Sequence, residues 1–264
     1  MSRLFTFGCS CTQYNWPTWA NIIGKEFDFF ENWGLFGAGN QYIANSIVEA
    51  SVRHNITKDD TIIVMWTSCT REDRYTDEWI TAGNLYMHSG KLYTQEFITK
   101  YVTPRGTYIR DLPIIHMTDQ YLTSLGCNYQ MLSMLELLDF ESKTHGTLHE
   151  VGINKRQLSK LFGKADLKSN PDQVNDVIEL YKPVLSKIRQ PSISKLVTKY
   201  NLQQRRRDNH PYPIEHLKYV EEVLPEFKVS EKTKEWICDI NQSLDQGSPM
   251  ENWSLEDNRP AIRL

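Results

Sequence analysis

Six consecutive residues constrain this chain more than any others: Thr61-Ile62-Ile63-Val64-Met65-Trp66 is almost continuously apolar and follows an Asp59-Asp60 turn. A short run without alternation is the pattern of a strand buried on both faces, as in the middle of a parallel sheet. Two shorter strands precede it, Leu4 to Phe7 and Phe27 to Phe30. Between those two, Trp16, Trp19, Ile22 and Ile23 recur at helical spacing, with Pro17 suited to the first turn and Gly24 to the end. Between the second and third, Ile43, Ala44, Ile47 and Val48 form the apolar face of another helix. Residues 1–70 therefore read strand, helix, strand, helix, strand, which argues for a parallel sheet with helices on its faces. In such a sheet the loops after the strands gather at one edge, where ligands bind.

The remainder is less regular. Residues 71–118 are polar and aromatic, and read as an insertion (about 74–118) of short strands or loops around Lys91 to Tyr108. Asp119 to Phe140 predicts one amphipathic helix with Leu122, Leu125, Met131, Leu132, Met134, Leu135 and Leu138 as its apolar positions. Residues 141–176 read as a polar excursion. Helical patterns return at Val177 to Val184, Ile193 to Tyr200 and Ile214 to Val223. Pro211 and Pro213 make the stretch from Arg205 a loop, since neither can sit in a helix interior or a regular ladder. The expectation is a single domain over 1–229 and a C-terminal tail, 230–264, with Trp236, Ile237 and Trp253 as anchors.

Composition excludes several classes. A net charge of −3 gives no field that would draw the chain to nucleic acid or an acidic membrane. Five scattered cysteines do not make a disulfide framework, and Cys9-x-Cys11 is too short for the usual zinc pair. No apolar run approaches the ~20 residues of a membrane span, and no signal peptide is visible. The expected setting is thus cytoplasmic, and no metal or organic cofactor is implied. His145 and His149 have zinc-like spacing, but Gly146 intervenes and no acidic third ligand is evident. Arg205-Arg206-Arg207 is too short and isolated to bind nucleic acid and reads as a solvated loop.

The chemistry concentrates at Gly8-Cys9-Ser10, on the turn after the first strand. A serine there is either a helix cap or a nucleophile exposed at the carboxyl edge of the sheet. Three further blocks decide between them: Gly34-Leu35-Phe36-Gly37-Ala38-Gly39-Asn40, Trp66-Thr67-Ser68-Cys69 and Asp208-Asn209-His210-Pro211. In order and composition the four blocks resemble those of the SGNH (GDSL-like) hydrolases, over roughly residues 3–73 and 190–225. The motif style also resembles uncharacterised SGNH-like proteins of tailed bacteriophages, a setting of virion or host cytoplasm.

The resemblance implies a flavodoxin-like three-layer α/β/α sandwich and a serine esterase that works through an acyl-enzyme. Ser10 would attack, His210 would act as base and then acid, and Asp208 would orient His210. The backbone N–H groups of Ser10 and Gly37, with Ser68, would form the oxyanion hole. Asn40, Trp66 and Arg71 are candidate substrate contacts, Arg71 having a surface ion pair with Glu72 or Asp73 as its other reading. His216 is the runner-up base. Cys9 stands where the family carries aspartate, Ser68 where it carries asparagine, and one residue separates Asp208 from His210 where two are commoner. The implied partner is a small-molecule or glycan ester, such as an O-acetylated sugar; nucleic acid and membrane are not expected, and virion or homo-oligomer partners have no support in the sequence. Two other readings stay open: an SGNH-fold binding or structural protein with weak or no catalysis, and an acyltransferase to a sugar hydroxyl.

Overall fold

The computed structural model describes residues 2–85, 92–137, 172–199 and 210–246. In chain order the elements begin β1 (Arg3–Phe7), α1 (Trp19–Gly24), β2 (Phe29–Asn32), α2 (Asn40–His54), β3 (Asp60–Trp66), β4 (Arg71–Tyr75) and β5 (Trp79–Asn84). There follow α3 (Gln95–Tyr101), α4 (Pro104–Leu125), β6 (Asn128–Ser133), α5 (Asp172–Leu185), α6 (Ile193–Lys199), α7 (Pro213–Val223) and α8 (Glu231–Asp245).

The main sheet is parallel, with strand order β2-β1-β3-β6. Ile188 forms a parallel bridge to Met131 and so adds a fifth position beyond β6. Counting only parallel strands, the order is the flavodoxin-like 2-1-3-4-5. The crossover from β1 runs one way along the sheet, and those from β2 and β3 run the other. Right-handed connections then place α1 on one face and α2 and α4 on the opposite face. Packing agrees: α4 lies against α2 and α5, while α7 lies against α1 and α8. The molecule is a three-layer α/β/α sandwich, as the alternation predicts. All seven residues of β3 are buried, as befits the central strand.

Helix ends are fixed by specific hydrogen bonds. Asp73 accepts from Gly39 N at 2.8 Å and Tyr42 N at 3.0 Å, placing a carboxylate on the positive end of α2. Thr103 Oγ1 accepts from Gly106 N at 3.0 Å to start α4, and Gly126, at φ 70°, ends it.

That glycine explains the largest correction. The apolar positions from Asp119 onward do not belong to one helix: α4 stops at Leu125, and Met131 and Leu132 are buried in β6. The second half of β6 is buried without alternation, so its apolar run merged with the helical pattern before it. The insertion is also more regular than expected. It holds the antiparallel pair β4–β5 and then two helices, where strands or loops were expected at 91–108. Pro113 lies inside α4 and obscured it in the sequence; the carbonyl that it deprives of a donor belongs to Ile109, an exposed residue.

Smaller differences have equally plain causes. The second strand begins at Phe29, and the Asp28 N–H before it goes to the Ser2 hydroxyl at 3.3 Å. Val48 is 47% exposed, and Tyr42 takes the expected place in the apolar face of α2. The expected tail opens with α8, whose Ile237 is fully buried, while Trp253 lies outside the described residues. Among the described residues no helix is long and apolar enough to cross a membrane.

Candidate active site

Ser10, the 33–39 loop and the 67–70 turn follow β1, β2 and β3, so all three stand at the carboxyl edge of the sheet. The Ser10 turn is tight: Thr12 N and Gln13 N both donate to Cys9 O, at 2.8 and 3.1 Å. Only glycine fits before it, since a Cβ on Gly8 would lie 2.0 Å from Thr12 Oγ1. Cys9 turns into the core, where its thiol donates to Met134 Sδ at 3.6 Å.

The glycine loop is fastened to this turn. Leu35 N donates to Gly8 O at 3.1 Å. Asn32 bridges the two segments, its Nδ2 donating to Thr12 O at 2.9 Å and its Oδ1 accepting from Gly34 N at 3.0 Å. Sequence reasoning passed over Asn32. Its signal is a polar amide at the end of an edge strand, directly before a glycine loop.

His210 comes from the far end of the chain, yet its Nε2 lies 2.9 Å from Ser10 Oγ. The residues that hold it follow Ser10 in sequence. Tyr14 stacks on the imidazole with centroids 3.9 Å apart and planes at 24°. Trp16 Nε1 donates to Pro211 O at 2.8 Å and its ring meets Tyr212 edge-on. Glu215 then accepts from Tyr212 N at 2.7 Å, with Pro213 in the first turn of α7. Ser10 is 6% exposed and His210 is half-buried. Trp16→Phe leaves the buried Pro211 carbonyl without its donor, and we expect a loss of about 1–3 kcal/mol in urea unfolding, with kcat falling further than KM rises. His216 is buried within α7, and it is His210 whose ring nitrogen lies within hydrogen-bond reach of Ser10. Asp208 lies outside the described residues, as do Arg205, Arg206, Arg207, His145 and His149.

Gly37 has φ 73°, a left-handed conformation that suits glycine. Ser68 Oγ accepts from Thr70 N at 3.2 Å and lies 2.8 Å from Thr70 Oγ1. If Thr70 is the donor of that pair, the Ser68 hydrogen remains available to a ligand.

The three candidate substrate contacts sit differently from expectation. Asn40 is 1% exposed, and its amide is committed inward: Oδ1 accepts from Thr67 N at 2.9 Å, while Nδ2 donates to Thr67 O at 3.2 Å and to Asp111 Oδ2 at 2.8 Å. It holds the chain after β3. Trp66 is fully buried in the sheet, as an interior strand position requires. Arg71 donates to Ala38 O at 3.1 Å and to Met134 Sδ at 3.4 Å. Glu72 pairs instead with Arg74 at 2.8 Å and with Arg110, and Asp73 caps α2.

Helix α4 braces the same turn. Arg110 donates to Cys69 O at 2.9 Å and to Arg71 O at 2.6 Å, and its Nε meets Asp111 Oδ1 at 2.5 Å. Burial pushes the Asp111 carboxyl from its ordinary 3.8 up to about 6, against the opposing pull of Arg110 and Asn40. From about pH 4 to about pH 6 the folded chain keeps a proton that the unfolded chain has released, so this group's contribution to stability falls as pH rises. Asp111→Asn removes the effect. The stability of wild type relative to the variant should fall by about 3 kcal/mol across that window, measured by urea unfolding of both at pH 4 and pH 7.

No protein-family model matches the chain, and no curated protein matches it in sequence. Solved structures do match. One is a member of the lipolytic protein G-D-S-L family from Veillonella parvula, 13% identical, covering 85% of this chain and 99% of that one at a TM-score of 0.45. Another is an acetyl xylan esterase from Geobacillus stearothermophilus, 11% identical, covering 87% and 95% at 0.45. A GDSL-like lipase from Bacteroides thetaiotaomicron is 12% identical, covering 85% and 86% at 0.40. At such identities and scores the likeness bears on neither residues nor chemistry, which are read from the geometry of this chain.

Proposed function

We propose that the protein is a serine esterase acting on a small acyl ester, such as an O-acetyl group on a glycan. The observation that carries this reading is the 2.9 Å contact between Ser10 Oγ and His210 Nε2. Serine and histidine 200 positions apart in sequence are brought to hydrogen-bond distance at a parallel sheet edge.

In the proposed reaction His210 Nε2 takes the Ser10 proton as Oγ bonds to the ester carbonyl carbon. The oxyanion is received by the N–H groups of Ser10 and Gly37, with Ser68 as a third donor. His210 then returns the proton to the leaving alkoxide as the ester bond breaks. Water attacks the acyl-enzyme by the same steps, releasing the acid and restoring Ser10. Asp208 is assigned to His210 as the carboxylate that holds its tautomer. Phe36, 38% exposed and edge-on to Tyr14 at 5.3 Å, offers an apolar rim beside His210. Hydrolysis of p-nitrophenyl acetate, together with acetate release from an O-acetylated xylo-oligosaccharide, tests the reading. Saturable turnover of the aryl ester is expected, and a rate no higher than that of buffer contradicts it.

A further inference from the structure

The second sheet lies in the inserted segment and has no part in the reaction above, yet it touches the loop that carries Gly37. Ala38 N donates to Leu35 O at 3.1 Å, closing a four-residue turn from Leu35 to Ala38. Gly37 is its third residue, at φ 73°, and Phe36 is not among the residues with positive φ. That combination is a type II turn. Types I and II differ chiefly by a half-rotation of the central peptide, here Phe36–Gly37. In a trans peptide the carbonyl and the N–H point in opposite directions. Whatever holds the Phe36 carbonyl therefore decides the side on which the Gly37 N–H emerges.

Strand β5 holds it. Thr81 Oγ1 donates to Phe36 O at 2.5 Å. Two residues on, Gly83 N donates to Gly37 O at 3.1 Å, so the turn is gripped on both carbonyls that flank Gly37. The strand approaches closely, since a Cβ on Gly37 would stand 3.2 Å from Thr81 Oγ1. The strand is itself tied to the turn after β3, through Leu85 N on Thr70 O at 2.9 Å.

We infer that Thr81 is a positioning residue for the reaction proposed above: its hydroxyl holds the Phe36–Gly37 peptide in the type II orientation that presents the Gly37 N–H to the oxyanion. The inference rests on the esterase reading. It gives the β4–β5 pair a task at the site, although none of its residues need touch substrate.

The test compares Thr81→Val, which keeps the shape and removes the hydroxyl, with Thr81→Ser, which keeps the hydroxyl, using p-nitrophenyl acetate as probe. Thr81→Val is expected to lose about 10- to 100-fold in kcat, below the full loss of a donor because the N–H remains. KM should change little, and the inhibition constant of a trifluoromethyl ketone should rise in parallel with the loss in kcat/KM. Thr81→Ser should recover most of the rate. If Thr81→Val does not fold, Thr81→Ala, which introduces no new bulk, replaces it. A folded hydroxyl-free variant with wild-type kcat overturns the inference and leaves the esterase reading intact. Absence of turnover in the wild-type protein, by contrast, overturns both.

Discussion

Ser10→Ala should abolish hydrolysis of p-nitrophenyl acetate while the thermal midpoint stays nearly where it was. The expected loss in kcat is about 10⁴- to 10⁶-fold, the range seen when a nucleophile of this type is removed. The stability effect should be small because among the described residues Ser10 contributes one side-chain hydrogen bond, to His210, worth about 0.5–1.5 kcal/mol net. The turn itself is made by backbone bonds to Cys9 O and by the close approach at Gly8, neither of which involves the hydroxyl. A helix cap would behave in the opposite way, losing stability and no activity. The variant thus separates the two readings of this serine. The helix that follows is capped at Thr18, eight positions on, which removes the capping role from Ser10. Equal residual rates in wild type and variant would sink the nucleophile assignment.

His210→Ala should be nearly as damaging. Without a base the Ser10 hydroxyl stays protonated and weakly nucleophilic, and we expect a loss of about 10⁴-fold or more. The variant also opens a gap beneath Tyr14, whose ring stacks on the imidazole at 3.9 Å. Added imidazole has an aromatic face to stack on and a serine within reach of its nitrogen, so it should restore part of the rate in a saturable manner. A rate unchanged by the mutation would mean that another group takes the proton, and His216 is the histidine to mutate next.

The parallel sheet was legible because β1 and β3 are apolar runs that only double-sided burial explains, and because the helices between them carry clear periodicity. The turns that carry the candidate residues were legible for a similar reason. Ser10 lies in the turn after β1 and Gly37 in the glycine loop after β2, and His210 sits among prolines that forbid regular structure. What was hidden depends on contacts between distant segments. The strand β6 could not be told from a continuing helix, since Met131, Leu132 and Met134 serve either pattern until Gly126 is known to adopt positive φ. Asn40 looked like a ligand to substrate and turned out to bind the Thr67 peptide, a role visible only once α2 and β3 are side by side. Asn32 and Thr81 were overlooked, and Trp16 was read as part of the helix face that in fact begins at Trp19, because each acts on a backbone carbonyl or amide, and nothing in a sequence marks which carbonyl a side chain will reach. The inserted segment was read only as polar and aromatic short strands or loops for the same reason: its pairing with the Gly37 loop runs through one threonine hydroxyl and main-chain atoms.

The central claim is that Ser10 is an activated nucleophile, and a fluorophosphonate probe tests it most directly, because such probes form a covalent bond only with a serine whose proton is taken by a base. Incubation of the wild-type protein with the probe, followed by intact-mass measurement and peptide mapping, should give one adduct, located on Ser10, that is absent in Ser10→Ala and strongly slowed in His210→Ala. A folded wild-type protein that acquires no adduct, or acquires it elsewhere than Ser10, would contradict the account.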